Sequence, residues 1–208
     1  MQVDQLSWTE STGWRSGSEH GGADLILFFG MREALACGAR YRELRAMFPA
    51  AHILGCSTGG QIHNDEVTDE EITAVALRFE ATSLRIACEP AKGAEHSRKC
   101  GEAIGHALSA HDLAGIFILS DGLNINGSEL VAGVAAIVGP AIPVTGGLAG
   151  DGARFAATLV GGDCEPARFL VAAVGFYSYG EISPHSASGV SELHNQTMTV
   201  TAICERAG

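Results

Sequence analysis

The chain lacks the segments that direct a protein into or across a membrane. None of its apolar stretches approaches the roughly 20 residues that a bilayer-spanning helix needs. Its first residues are polar, with neither the basic start nor the apolar core of a secretory signal. The sequence therefore predicts a cytoplasmic protein without a membrane partner.

Basic residues are also scarce. The chain has 13 Lys and Arg against 24 Asp and Glu, a formal net charge of −11. Nucleic acids and anionic lipid surfaces both favour a basic patch, so neither is expected as a partner. Four arginines on one predicted helix either form a local basic pocket for an anionic ligand or a solvated helix face. These are Arg32, Arg40, Arg42 and Arg45.

The standard catalytic and metal motifs are missing too. The six cysteines include no C-x-x-C pair, and no two histidines have the spacing of a structural zinc site. There is no P-loop, no G-x-G-x-x-G that opens a helix and no G-x-S-x-G elbow. Cys56 lies in a loop after a strand, yet the sequence assigns it no base and acid partners, so a catalytic thiol is the less favoured interpretation.

What the chain does contain is a polar loop between two apolar runs. Residues 115–119 are typical of a buried strand and residues 130–138 of a helix, for which Ser128 is the predicted N-cap. In open α/β sheets, ligands bind just outside the carboxyl ends of strands. The loop thus offers candidate ligand contacts, although its Asn and Gly residues also suit a simple turn. The candidates are Ser120, Asp121, Asn124 and Asn126.

Two further small-residue loops follow apolar runs. Residues 55–60 carry Cys56, Ser57 and Thr58, and residues 144–155 hold four glycines between Gly146 and Gly152. Glycine permits positive φ and close approach of the backbone to a ligand. Three such loops favour one composite pocket, to which the third contributes Gly147, Asp151 and Arg154.

The charged side chains of these loops have alternative roles. Asp121 and Asp151 form either an acid pair, a set of oxygen ligands for a cation, or hydrogen-bond acceptors for loop amides or a ligand amine. Arg154 either binds a carboxylate in bidentate fashion or pairs with Asp151.

The hydrophobic pattern predicts an α/β fold with a mixed sheet and flanking helices. It predicts one helix over residues 32–48, a hairpin of strands 72–80 and 83–89, and an acidic loop over residues 64–71. Strands 155–160 and 169–177 are expected to flank a turn at Gly161, Gly162 and Asp163. The alternation of residues 196–204 predicts a last, half-buried strand.

Three stretches together resemble the FIST sensory domain family. They are Gly55-Cys56-Ser57-Thr58, residues 120–129 and residues 143–152, in the same order and with similar spacing. Residues 176–208, with Tyr179-Gly180-Glu181 and His194-Asn195, resemble the end of the family's C-terminal half. On this basis the chain divides into a lead-in segment (1–22), a FIST N-like domain (23–175) and a FIST C-like end (176–208).

The resemblance implies a bacterial sensory domain that binds a small ligand and signals to a separate protein, such as a histidine kinase or a cyclic-di-GMP enzyme. One subset resembles haem proteins that sense nitric oxide, and here it makes His194 the candidate iron ligand. The alternative function is a small-molecule enzyme that uses Cys56 or the Asp121/Asp151 pair. An exposed sheet edge would allow a homodimer by strand pairing.

Overall fold

The computed structural model describes residues 1–16, 22–63, 66–68 and 72–178. The strands are β1 (Gln2–Thr9), β2 (Gly13–Ser16), β3 (Leu25–Gly30), β4 (His52–Ser57), β5 (Gln61–His63), β6 (Glu66–Thr68), β7 (Ile72–Arg78), β8 (Thr82–Pro90), β9 (Leu113–Ser120), β10 (Val144–Leu148), β11 (Val160–Gly162) and β12 (Leu170–Ser178). The helices are α1 (Arg32–Leu35), α2 (Ala39–Met47), α3 (Ser97–Leu108) and α4 (Gly127–Val138), and a 3₁₀ turn at Ala94–His96 precedes α3.

Two mixed sheets pack face to face between two helical layers. The six-stranded sheet has the order β11-β4-β3-β7-β1-β2 and the four-stranded sheet the order β10-β9-β12-β8. Leu25 and Leu54 of the first meet Phe117 and Val174 of the second in the central core. The α/β fold with flanking helices is thereby confirmed.

Alternation along β3 explains why its apolar run is continuous. Ile26 and Phe28 pack on the helical side with Leu44 of α2, whereas Leu25 faces the other sheet. A strand covered on both faces needs apolar residues at successive positions.

The two sheets repeat one topology. Strands β3 and β4 are parallel and joined by helices, and β7 runs antiparallel on the other side of β3. Strands β9, β10 and β12 have the same relation, with α4 as the crossover. In each sheet, a strand from earlier in the chain pairs with the antiparallel strand of this three-stranded unit: β1 pairs with β7 in the first sheet, and β8 pairs with β12 in the second.

Four of the predicted elements differ from the structure. The helix over 32–48 is interrupted at Gly38, whose φ of +68° leaves the α-helical region. The predicted hairpin of β7 and β8 is wrong, because these strands belong to different sheets. The stretch predicted as an acidic loop contains β6, which pairs with β5.

The fourth difference concerns residues 155–162. The predicted strand at 155–160 is wrong except for its last residue, and the predicted turn glycines instead belong to β11, which pairs with β4. A Cβ on Gly162 would lie 2.6 Å from Cys88 Sγ, so glycine at this position permits the close approach of β11 to the second sheet.

Candidate functional site

The three small-residue loops meet at one end of the fold. The Gly150 N–H donates to the Ser57 carbonyl at 2.8 Å, which joins the loops after β4 and β10. The Ala149 N–H donates to the Ser120 carbonyl at 2.8 Å, which joins the loops after β10 and β9. The carboxyl ends of these strands therefore share one cluster.

The loop after β4 uses its polar side chains to hold its neighbours. Ser57 Oγ donates to the Gly150 carbonyl at 2.8 Å and accepts from the Leu159 N–H at 2.9 Å. Thr58 Oγ1 accepts from Gln61 Nε2 at 2.9 Å. Cys56 is buried at 2% exposure in the core between the sheets. All three candidate residues thus point into the protein.

Asp121 organises the loop after β9. Its Oδ1 accepts the backbone N–H groups of Leu123 and Asn124 at 2.8 and 2.7 Å, and the Asn124 side chain at 2.9 Å. Its Oδ2 accepts the Phe169 N–H at 3.2 Å. Burial alone would raise the pKa of this carboxyl, but these hydrogen bonds hold the pKa below its ordinary value. Asp121 is therefore an ionised carboxylate that accepts hydrogen bonds from its own loop.

The remaining candidates of this region have different environments. Asn126, not Ser128, is the N-cap of α4, because its side chain accepts from the Glu129 N–H. Ser120 is buried, and its Oγ lies 3.5 Å from the Asp121 carbonyl, at the limit of a hydrogen bond. A Cβ on Gly147 would meet no atom within 4 Å, so β10 faces open space there.

Asp151 organises the loop after β10 in the same way. Its side chain is 1% exposed and accepts from Ala156 and Ala157 N–H at 3.0 and 3.1 Å, from Arg154 Nε at 3.1 Å and from Arg32 Nη1 at 2.9 Å. Burial alone would raise the pKa of this carboxyl, but the backbone N–H groups, Arg154 and Arg32 keep it below its ordinary value. The pairing of Arg154 with Asp151 that the sequence suggested is present.

A cavity of about 1080 Å³ lies beside this loop cluster. Its walls are the turn between β1 and β2 and the first residues after β3. They consist of Trp8, Thr9, Glu10, Ser11, Met31, Glu33, Ala34, Cys37 and Arg40. None of the residues selected for the predicted pocket lines it.

The charges at the cavity form a connected network. The Arg40 guanidinium stacks over the Trp8 ring at 4.3 Å and pairs with Glu43 at 2.7 Å. Its Nε is buried and has no hydrogen-bond partner among the described residues. A buried donor without a partner carries a desolvation cost that a bound group or water relieves.

Glu33 connects the cavity to the loop cluster. Its carboxylate pairs with Arg32 at 2.8 Å and with Arg154 at 3.0 Å, and both arginines also contact Asp151. Burial works to raise the pKa of Glu33, but a backbone hydrogen bond and the two arginines lower it overall. A carboxylate of the cavity wall is thus one arginine away from Asp151.

Sequence reasoning found part of this wall. It selected Arg40, which lines the cavity, as a member of a basic cluster but did not assign the first strand and its turn to a site. The usable signal was Trp8, one of two tryptophans in the chain, followed by the hydroxyl-rich turn Thr9–Gly13. Only the pairing of β1 with β7 places that turn beside α1.

A haem was implied by the family resemblance, and it stays a prediction: Met31 and Cys37, residue types that can bind haem iron, line the cavity, but no described histidine does. The histidines with described side chains are His52, His96, His106 and His111, and none lines the cavity. Two carboxylates do line it, which suits a porphyrin face poorly. Groups of three or more metal-ligating side chains are absent from the described part of the chain. His194 lies outside the described residues, and its role stays a prediction.

These observations define an α/β domain whose loops are braced by buried carboxylates next to a cavity with a charged lining. The FIST N domain family matches residues 24–207. The chain therefore belongs to the FIST family of sensory domains, as the three motifs predicted. No curated protein matches the chain. The matched range extends beyond residue 175, and the division of the chain at that residue stays a prediction.

Within residues 1–16, 22–63, 66–68 and 72–178, no helix combines the length and apolar character needed to cross a bilayer.

Proposed function

We propose that the chain is an intracellular sensory domain that binds a small ligand in the cavity between the β1–β2 turn and α1. The observation that carries this proposal is the cavity itself, with the Arg40 guanidinium stacked on the Trp8 ring in its wall. A concave site with an apolar ring and a few polar groups is the usual form of a small-molecule site. Trp8, Met31 and Ala34 supply the apolar part here.

The signal then passes to a separate protein, such as a histidine kinase or a cyclic-di-GMP enzyme. A ligand that displaces Glu33 from Arg154 leaves Asp151 as the remaining carboxylate partner of that guanidinium and so alters the ion pair at Asp151. Ligand binding shifts a conformational equilibrium only by its differential affinity for the two states, and this shared arginine supplies such a difference.

The alternative, a small-molecule enzyme, gains no support from the described residues. Cys56 is buried, and the carboxylates of Asp121 and Asp151 are both occupied by backbone and side-chain donors. The lowered pKa of each carboxyl also disfavours proton donation at neutral pH.

The test is a thermal-shift screen of a small-metabolite library, with Trp8 as a local reporter. The chain has two tryptophans, so Trp14→Phe leaves Trp8 as the only indole. Compounds that raise the melting temperature of the wild type are expected to change Trp8 fluorescence in this variant. Arg40→Gln is expected to abolish the shift.

Arg42→Gln is the matched control, because Arg42 lies on the same helix with an exposed partner, Glu165, and does not line the cavity. Circular dichroism checks that each variant folds. Compounds that stabilise the Arg40→Gln and wild-type proteins equally would place the ligand elsewhere and refute the proposed site.

A further inference from the structure

Four large apolar side chains are exposed at the same end of the four-stranded sheet. Leu123 (42% exposed) follows β9, Leu148 (45%) ends β10, and Phe155 (75%) lies in the next loop. Phe169 (46%) precedes β12, whose first paired residues lie opposite the end of β9. Soluble proteins rarely expose several large apolar side chains at one end of the fold unless that end is an interaction surface. We call these four residues the apolar end surface.

Two of the four residues have a backbone conformation that bulky side chains rarely adopt. The φ angles of Phe155 and Phe169 are +51° and +59°, in the left-handed region. For an aromatic residue this conformation costs free energy and persists only where the surroundings impose it. An exposed side chain gains little burial energy to compensate, so folding alone gives no reason for the phenylalanines.

The two buried aspartates impose this conformation. Asp151 accepts the N–H groups of Ala156 and Ala157, immediately after Phe155, and the Arg154 side chain immediately before it. Asp121 accepts the N–H of Phe169 itself. Each aspartate follows one of two adjacent parallel strands, and each fixes the backbone beside one exposed phenylalanine.

The charge at this surface indicates what covers it. Arg168 stacks over the Phe169 ring at 4.8 Å and makes no ion pair within the described part of the chain. An arginine on an aromatic face is a typical anchor at a protein interface, and it complements a carboxylate. Two copies of a chain with net charge −11 repel each other, which disfavours self-association through this surface.

We propose that the apolar end surface is the docking site for a separate protein, and that the docked segment presents apolar side chains together with a carboxylate. Phe155 and Phe169 anchor the apolar side chains, and Arg168 pairs with the carboxylate. The cavity of the proposed ligand site adjoins the loop after β10, where Arg32 pairs with Asp151. The docking surface does not depend on the identity of the ligand.

The test uses a phage-displayed peptide library selected on the full-length chain. The enriched peptides are synthesised with a fluorophore and titrated by anisotropy. They are expected to combine apolar residues with at least one Asp or Glu, and to lose about 10-fold or more in affinity with Phe155→Ser or Phe169→Ser. Arg168→Glu is expected to weaken acidic peptides specifically, and a peptide with Lys in place of its acid restores binding to that variant.

Val3→Ser is the matched control, because Val3 is similarly exposed (39%) but lies at the opposite end of the fold. Val3 is paired with Leu77, and Leu77 is paired with Leu25 at the start of β3. Several outcomes overturn the proposal: no enriched peptide, binding that both serine variants leave unchanged, or peptides that reproduce residues 179–208 of this chain. A concentration-dependent dimer in sedimentation velocity that Phe155→Ser abolishes would make a second copy the occupant and overturn it too.

Discussion

Replacement of Asp151 by alanine removes the acceptor at which the loop after β10, α1 and the ion-pair network meet. Four donors lose their partner, two of them backbone N–H groups, in a position where the side chain is 1% exposed. The partly exposed Arg32 and Arg154 regain water, but each backbone N–H left buried without an acceptor costs about 1–3 kcal/mol. Since a domain of this size has a free energy of unfolding of roughly 5–15 kcal/mol, Asp151→Ala is expected to lower the urea midpoint substantially.

Glu33→Ala is the control, because Glu33 shares both arginines with Asp151 but is about half exposed, and surface pairs contribute only about 0–1 kcal/mol. The pH dependence gives a second readout. The pKa of Asp151 is lowered in the folded state, so its contribution is present above the unfolded pKa of about 3.9 and is lost as the pH falls through the lower folded pKa. The difference between wild type and Asp151→Ala should therefore shrink in acid. If Asp151→Ala lowered the free energy of unfolding by less than about 1 kcal/mol at pH 7, with an unchanged m-value, the role of Asp151 in stabilising its loop would be refuted.

Three further predictions concern other parts of the fold. His52 Nδ1 lies 2.6 Å from Asp163 Oδ2, and this hydrogen bond raises the pKa of His52. The loss of unfolding free energy in His52→Ala should therefore be full below about pH 6.5 and diminish as the pH rises through the folded pKa. Urea unfolding between pH 6 and 9 measures this dependence. A Cβ on Gly133 would overlap the Arg98 carbonyl, so Gly133→Ala should cost about 1–3 kcal/mol, whereas Gly127→Ala, whose new methyl meets Leu148 at 3.6 Å, should be nearly neutral in the same assay. The haem hypothesis predicts a Soret band that responds to nitric oxide and weakens in His194→Ala; a featureless absorption spectrum of protein purified with haem available would refute it.

Local patterns predicted the elements whose two faces are both buried. The runs that became β3, β4 and β9 are continuous and apolar because each strand lies between a helical layer and the other sheet. Burial on both faces does not predict the division into two sheets, because a continuous apolar run does not indicate whether a helix or another sheet covers each face. The hairpin of β7 and β8 was predicted for a different reason: only a short turn separates these strands in the chain, yet they lie in different sheets.

The residues predicted as ligand contacts lie at the same end of the fold as the cavity, but none of them lines it, and their role as ligand contacts stays a prediction. Position after a strand and residue type selected Asp121 and Asp151, and both do lie at the carboxyl ends of β9 and β10. Sequence alone does not distinguish a carboxylate that accepts a ligand from one that accepts its own loop, because both need the same chemistry. The cavity wall depends instead on Trp8 and the β1–β2 turn, which long-range pairing brings to Met31.

The different ends of the two crossovers give a physical reason for the cavity after β3. After β9, Asp121 satisfies the loop backbone and Asn126 caps the three-turn helix α4, so the crossover is closed by its own side chains. After β3, α1 is a four-residue helix without a side-chain cap, and the chain breaks at Gly38 before α2 begins. The first crossover therefore leaves space that the β1–β2 turn only partly fills. This space is the one in which we propose that the ligand binds.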